Sequence, residues 1–369
     1  MSINASPLFK PFQHGPLKLA NRIVMAPMTR SFSPGGVPGP DVAAYYRRRA
    51  EREVGLIITE GTTVAHDAAA NDPNVPRFHG EDALAGWARV VADVHAAGGK
   101  IMPQLWHVGS VRRPGNQPNP EAKPVSASGL FKPGKKVTEP ATDQEIAAII
   151  EAFATSATHA KQLGFDGIEI HGAHGYLIDQ FFWAGTNERT DTYGGDIVRR
   201  TRFGADIIKA CRLATTPEFP IVLRYSQWKQ QDYPARLAET PAELESFLRP
   251  LVDAGVDMFH CSTRRFWEPE FAESQMNLAG WTKKLAGKPV ITVGSIGLDT
   301  DFLQTFGSKG AATERRHLDR LIEMVERAEI DLVAVGRALI TDSAWVIKLR
   351  EGRVSDFVAF SRDALATLE

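Results

Sequence analysis

Two imidazoles and a phenol fall within six positions of Gly167-Ile168-Glu169-Ile170-His171-Gly172-Ala173-His174-Gly175-Tyr176. A short apolar run rich in β-branched residues ends at a glycine and then delivers them, which is how a buried strand hands polar groups to a site. Imidazole and phenol placed together suit proton transfer or the holding of an electron-rich oxygen. The bland alternative is two satisfied histidines beside a packing tyrosine. The crowding of His171, His174 and Tyr176 onto one strand end favours function. A metal site would need a third ligand, and none is evident, since Glu169 should hydrogen-bond within the fold.

These groups need a frame that brings others to them. Strand-like runs recur at residues 23–28, 55–64, 101–106, 167–172, 220–226, 257–262, 289–295 and 331–337. Helically spaced apolar residues lie between them, among other places at 83–97, 143–163, 197–213, 241–254 and 315–328. Thr142 or Asp143 can cap one of these helices, and Thr240 followed by Pro241 can cap another that stops at Gly255. The alternation predicts a single α/β domain over residues 1–369, a (β/α)8 TIM barrel. A doubly wound sheet is the competitor, but the even spacing suits closure and no GxGxxG follows the first strand.

Residues 8–20 alternate apolar positions with Pro11, Gly15 and Pro16, which predicts an N-terminal β-hairpin that caps or plugs the barrel. Residues 108–142 are interrupted by Pro114, Pro118, Pro120, Pro124, Pro133 and Pro140, with a short strand expected near 125–128. They leave the C-terminal end of the third strand, the face where such barrels do chemistry. A flap over the site is the expectation.

In a closed barrel the strand ends converge on that face. Thr29 follows the first strand, Gly61 lies in the second, Gln104 and Trp106 end the third and Arg224 ends the fifth. Gly294-Ser295 and Gly336-Arg337 end the last two. Together they offer backbone N–H groups, a hydroxyl and a bidentate cation to a phosphate, although either pair alone could be a tight turn and a surface ion pair. Gln104 beside Trp106 suits a planar heterocycle with amide-like edges, or else a structural amide. Arg224 should face an anionic or electron-rich group, or else pair with Glu60 or Glu169.

Composition narrows the partners. Lys and Arg number 43 against 44 Asp and Glu, and a net charge of -1 offers no basic field for nucleic acid or an anionic membrane. Cys211 and Cys261 have no CxxC spacing, which argues against a disulfide framework, a zinc site or a cysteine-held cluster. The N-terminal residues lack a secretory pattern, and no window approaches the roughly 20 apolar residues of a membrane span. A cytoplasmic protein with small-molecule partners is expected.

Several long motifs, in order, resemble the Old Yellow Enzyme family of flavin-dependent ene-reductases. They are Asn21-Arg22-Ile23-Val24-Met25-Ala26-Pro27-Met28-Thr29-Arg30, Gln104-Leu105-Trp106-His107, the run from His171 through Leu177, Asn187-Glu188-Arg189-Thr190-Asp191-Thr192-Tyr193-Gly194-Gly195 and Val335-Gly336-Arg337-Ala338-Leu339. The resemblance extends over residues 8–352 and implies a barrel with FMN at its C-terminal mouth. It implies that Pro27, Met28 and Thr29 lie along the flavin ring, that Gly61 lets the backbone approach it, and that Gln104 pairs with its pyrimidine side. Arg224 would face the N1/C2 carbonyl, and Gly294, Ser295, Gly336 and Arg337 would take the phosphate.

The resemblance also implies a reaction. NAD(P)H reduces the flavin and leaves; an activated alkene, such as an enone, enal, maleimide or nitroalkene, then binds in its place. His171 and His174 would polarise its carbonyl, Trp106 would line its pocket, and Tyr176 would protonate the α-carbon opposite the incoming hydride, giving trans addition and ping-pong kinetics. Thr29 rather than Cys marks the branch of the yeast enzymes. Ser110 where relatives carry Arg, and Asp196 where they carry Ser, alter the flap contacts. A flavin-binding sensor without turnover, or a phosphate-binding barrel isomerase or lyase, are the competing functions. A monomer or homodimer fits either.

Overall fold

Alternation along eight short strands decides what fills the centre of this protein. The computed structural model describes residues 3–298 and 315–369; the expected helix at 315–328 begins at the edge of the segment 299–314, which lies outside the described residues. Its strands are β1 (Phe12–His14), β2 (Leu17–Leu19), β3 (Ile23–Met25), β4 (Leu56–Thr63), β5 (Ile101–Trp106), β6 (Leu130–Lys132), β7 (Lys135–Lys136), β8 (Ile168–His174), β9 (Ile221–Lys229), β10 (Met258–Ser262), β11 (Val290–Val293) and β12 (Leu332–Val335). Strands β3, β4, β5, β8, β9, β10, β11 and β12 pair in parallel in that order, and β12 pairs back to β3 to close a barrel. The helices between them make this the (β/α)8 barrel that the alternation predicts.

One face of each strand packs inward. Val24, Leu56, Ile58, Met102, Val222, Met258, Ile291 and Leu332 form the barrel interior, and Phe12, Leu17 and Leu19 of the β1–β2 hairpin join the same cluster. The hairpin therefore plugs the barrel end at which the strands begin. It is shorter than the alternation suggests, because Pro7 starts a 3-10 helix at Ser6–Phe9 and leaves only residues 12–19 to pair. The opposite strand faces, among them Ile23, Ile57, Ile101, Ile168 and Leu223, pack outward in the larger cluster that the helices cover.

The helices follow their end signals. Thr142 and Glu145 form a capping box on Asp143–Gln162, and Thr240 accepts the Glu243 N–H at the start of Pro241–Asp253. The stretch 197–213 is two helices, Ile197–Arg200 and Arg202–Ala214. At the join, the Thr201 hydroxyl donates to the Val198 carbonyl and competes with the helical ladder. Asp196 caps the first of them by accepting the Arg199 N–H at 2.8 Å, so it keeps the role a serine would fill. Among the described residues no helix is long and apolar enough to cross a membrane.

Residues 108–142 are ordered around buried anchors rather than around regular structure. The strand lies at β6 rather than at 125–128, because Gly134 (φ 70°) turns β6 back onto β7. Val125 and Ala127 are instead buried, and the Ser126 hydroxyl donates to the Leu130 carbonyl. Arg112 is 1% exposed and its guanidinium donates to the carbonyls of Ala70, Asn116, Pro118, Asn119 and Ala122. It holds the segment in shape and has no surface role. Ser110 docks it, donating its hydroxyl to the Leu130 carbonyl and its N–H to Gln180 Oε1.

Candidate active site

Strand register sets the order of groups at the barrel mouth. His171 on β8 lies beside Arg224 on β9, and Arg224 beside His260 on β10. A register shift between Gly172 and His174 interrupts the β8–β9 ladder, and His174 sits there with φ 64°, a conformation costly for a side-chain-bearing residue. Its backbone N–H is held by the Ser226 hydroxyl at 2.9 Å. The next residue, Gly175, has φ 78°, which a side-chain-bearing residue rarely adopts, and a Cβ there would displace the Gln231 amide, whose Oε1 would lie 1.8 Å away.

A buried ion pair stands behind this turn. Asp179 and Lys229 are both fully buried with Nζ–Oδ1 at 2.6 Å, and Asp179 Oδ2 accepts the Gly175 N–H at 2.7 Å. Gln180 and Gln231 both donate to the Gly175 carbonyl. Tyr176 then precedes the helix Leu177–Phe182.

The result is an aromatic corner. The rings of Trp106 and Tyr176 are 4.9 Å apart, those of His171 and Tyr176 5.0 Å, those of His171 and His174 5.1 Å, and Trp228 lies 4.7 Å from His174. Burial, then the nearby Arg224 charge, pushes both histidines well below the ordinary imidazole range, so both are neutral near pH 7. His171 Nδ1 accepts the Ala173 N–H at 3.3 Å, which leaves the ring proton on Nε2. Burial raises the Tyr176 phenol, whose oxygen accepts from Gln230 Nε2 at 3.3 Å, and it stays protonated.

Arg224 is the group that calls for a partner. It is 7% exposed, its Nε is buried without a hydrogen bond, and among the described residues its guanidinium makes no ion pair. Glu169, one partner expected for it, is taken by Gln104 Nε2 at 2.7 Å and by His260 Nδ1 at 2.6 Å. Glu60, the other, accepts the backbone N–H groups of Arg30 and Ser31. A buried guanidinium left this way is stable only beside an electron-rich group.

Every residue expected from the sequence to touch substrate or cofactor lines one cavity of about 490 Å³: Pro27, Met28, Thr29, Gly61, Gln104, Trp106, His171, His174, Tyr176, Arg224, Gly294, Ser295, Gly336 and Arg337. A volume of this size suits a cofactor. Gly61 makes room for Trp106, whose ring would lie 2.7 Å from an added Cβ, and Gly294 for the Thr263 side chain. The Ser295 hydroxyl donates to the Arg264 carbonyl at 2.9 Å. The lining holds no residue of 108–142; Pro118 and Asn119 line a neighbouring cavity that shares Asp72 and Val75 with this one. Among the described residues no cluster of three or more His, Cys, Asp or Glu could hold a metal, and both cysteines are free and buried.

Sequence reasoning missed Trp228, Gln230, Ser262, Arg264 and Leu365, which also line the cavity. The signal for Trp228 was within reach, since β9 runs to Lys229 and Trp228 lies an even number of positions past Arg224. Leu365 carried none.

The family profile described as NADH:flavin oxidoreductase / NADH oxidase matches residues 7–356. The chain belongs to that family. It is the Old Yellow Enzyme family that the motifs resemble. The chain is similar to 12-oxophytodienoate reductase 7 of Oryza sativa subsp. japonica, 44% identical over 217 residues, which is 56% of this chain and 55% of the reductase. It is similar to the NADH oxidase of Thermoanaerobacter brockii, 35% identical over 361 residues, 95% of this chain and 51% of the oxidase. The matches thus span about half the length of these curated relatives. Morphinone reductase in complex with tetrahydroNAD has a similar structure, with a TM-score of 0.81 at 29% identity over 97% of this chain and 93% of the reductase.

Proposed function

We propose that this protein is an FMN-dependent ene-reductase that uses NAD(P)H to reduce the C=C bond of α,β-unsaturated carbonyl or nitro compounds. The observation that carries this reading is the grouping of a buried Arg224, without an ion pair among the described residues, with two neutral histidines and a protonated tyrosine around one cavity. Arg224 fits the electron-rich N1/C2 edge of a flavin. Gln104, oriented by Glu169, fits its pyrimidine side, and Gly294, Ser295, Gly336 and Arg337, which line the same cavity, would take the FMN phosphate.

Bound FMN, once reduced by NAD(P)H, supplies hydride to the alkene. The side chains do the rest. His171 donates from Nε2 to the substrate oxygen and His174 joins it, which draws electron density from the C=C bond and stabilises the enolate-like charge that develops. Tyr176 holds a proton that can pass to the α-carbon. Trp106 and Trp228 wall the substrate against water.

Anaerobic titration tests the reading. Purified protein should carry or take up FMN, bleach with NADPH under nitrogen and regain colour on addition of 2-cyclohexenone. A protein that cannot bind FMN would overturn the cofactor, and bleaching that no activated alkene reverses would leave a flavin-binding protein without the reductase activity.

A further inference from the structure

Arg362–Ala366 is a short 3-10 helix outside the strand–helix repeat, and Arg30 holds it at the barrel mouth. Arg30 Nη2 donates to the carbonyls of Ala364 at 3.1 Å, Leu365 at 3.4 Å and Thr367 at 2.6 Å, and Arg48 Nη1 to that of Leu368 at 3.0 Å. Arg30 is itself buried, its guanidinium 5.0 Å from the Tyr45 ring centre and 5.7 Å from that of Phe32. At the near end Phe360, 1% exposed, clusters with Leu298 and Ile340, and Met28, Ala364 and Leu365 pack against them. A buried cation directed at the carbonyls of one segment fixes where that segment lies.

Leu365 lines the same cavity as His171 and Arg224, along with Met28, Leu298 and Ile340. The cavity is therefore polar where Gln104 and Arg224 stand and apolar at this wall. An isoalloxazine is divided in the same way, with N–H and C=O groups on its pyrimidine edge and only hydrocarbon on its dimethylbenzene edge. We propose that residues 360–367 are a cofactor-binding element in which Leu365, latched by Arg30, covers the dimethylbenzene edge of the flavin. The assignment rests on the FMN reading above. Arg30 directly follows the Pro27-Met28-Thr29 turn, and its backbone N–H donates to Glu60 at 2.8 Å, so one residue fixes both the turn and the wall.

The test is a titration of the full-length protein, freed of flavin, with FMN and with 7,8-didemethyl-FMN, read by flavin fluorescence. Two methyl groups against an apolar wall favour FMN roughly tenfold. Leu365→Ala should lower that preference about threefold or more, since its removal exposes the methyl groups to water. Arg30→Met should do the same by releasing the latch, and far-UV circular dichroism of both variants should match the wild type. A wild type that binds FMN while Leu365→Ala keeps the full preference overturns the assignment. A wild type that binds neither flavin overturns the FMN reading, and this one with it.

Discussion

His174 Nε2 lies 2.8 Å from the Ser262 hydroxyl, and both side chains are buried. A neutral imidazole carries one proton, and His174 Nδ1 makes no hydrogen bond among the described residues. If the serine O–H donates to Nε2, the proton sits on Nδ1 and is available to a substrate oxygen beside that of His171. Ser262→Ala should release this tautomer and weaken phenol binding to the oxidised flavoprotein by roughly three- to tenfold, the worth of one hydrogen bond. Titration of the phenol charge-transfer band measures it. Affinity equal to that of the wild type would mean that Ser262 does not orient the ring.

Tyr176 makes a prediction about which half-reaction slows. Its phenol is held above the ordinary tyrosine range by burial and so remains an acid through neutral pH. Tyr176→Phe should slow alkene reduction by about 10²-fold or more, the usual worth of a placed general acid, while reduction of the flavin by NAD(P)H stays close to the wild-type rate. Stopped-flow traces of the two half-reactions separate these effects. Equal losses in both would assign the tyrosine to packing.

The Asp179–Lys229 pair makes a prediction about stability. Both groups are fully buried, and Asp179 also holds the Gly175 N–H between His174 and Tyr176. Lys229→Met leaves a buried carboxylate without its cation and should cost about 3–5 kcal/mol, whereas Lys229→Met with Asp179→Asn should recover part of the loss. Urea denaturation of the single and double variants gives both values. A single variant as stable as the wild type would show that the pair is not needed to hold the turn.

Much of this site was legible because strand periodicity and strand ends are local signals. His171, His174 and Tyr176 follow one another along the chain, and the βα alternation alone brings them to the mouth that Arg224 and Gln104 also reach. What stayed hidden depends on distant partners. The sequence marks Glu169 as a hydrogen-bonding carboxylate, but only closure of the barrel shows that His260 takes one oxygen and Gln104 the other, which leaves Arg224 without an ion pair among the described residues. Arg112 looks like any loop arginine until residues 116–122 fold their carbonyls around it. The latch between Arg30 and Leu365 joins positions 335 residues apart, beyond the reach of periodicity or spacing.

Glu60 links pH to the turn that carries Thr29. Its Oε2 accepts the N–H groups of Arg30 at 2.8 Å and Ser31 at 3.1 Å, and burial raises its carboxyl from 4.5 to about 7 against the pull of those bonds. Between these values the folded chain keeps a proton that the unfolded chain releases, so this group's contribution to stability is full below about pH 4.5, falls as pH rises and is lost above about pH 7. The shift corresponds to about 3 kcal/mol at most. Glu60→Gln removes the titration and keeps a carbonyl oxygen that can accept both N–H groups. The stability difference between wild type and variant, followed by denaturation from pH 4.5 to 8, should therefore move steadily in favour of the variant as pH rises. A difference that does not change with pH would show that Glu60 is ionised throughout, and that its two N–H bonds outweigh its burial.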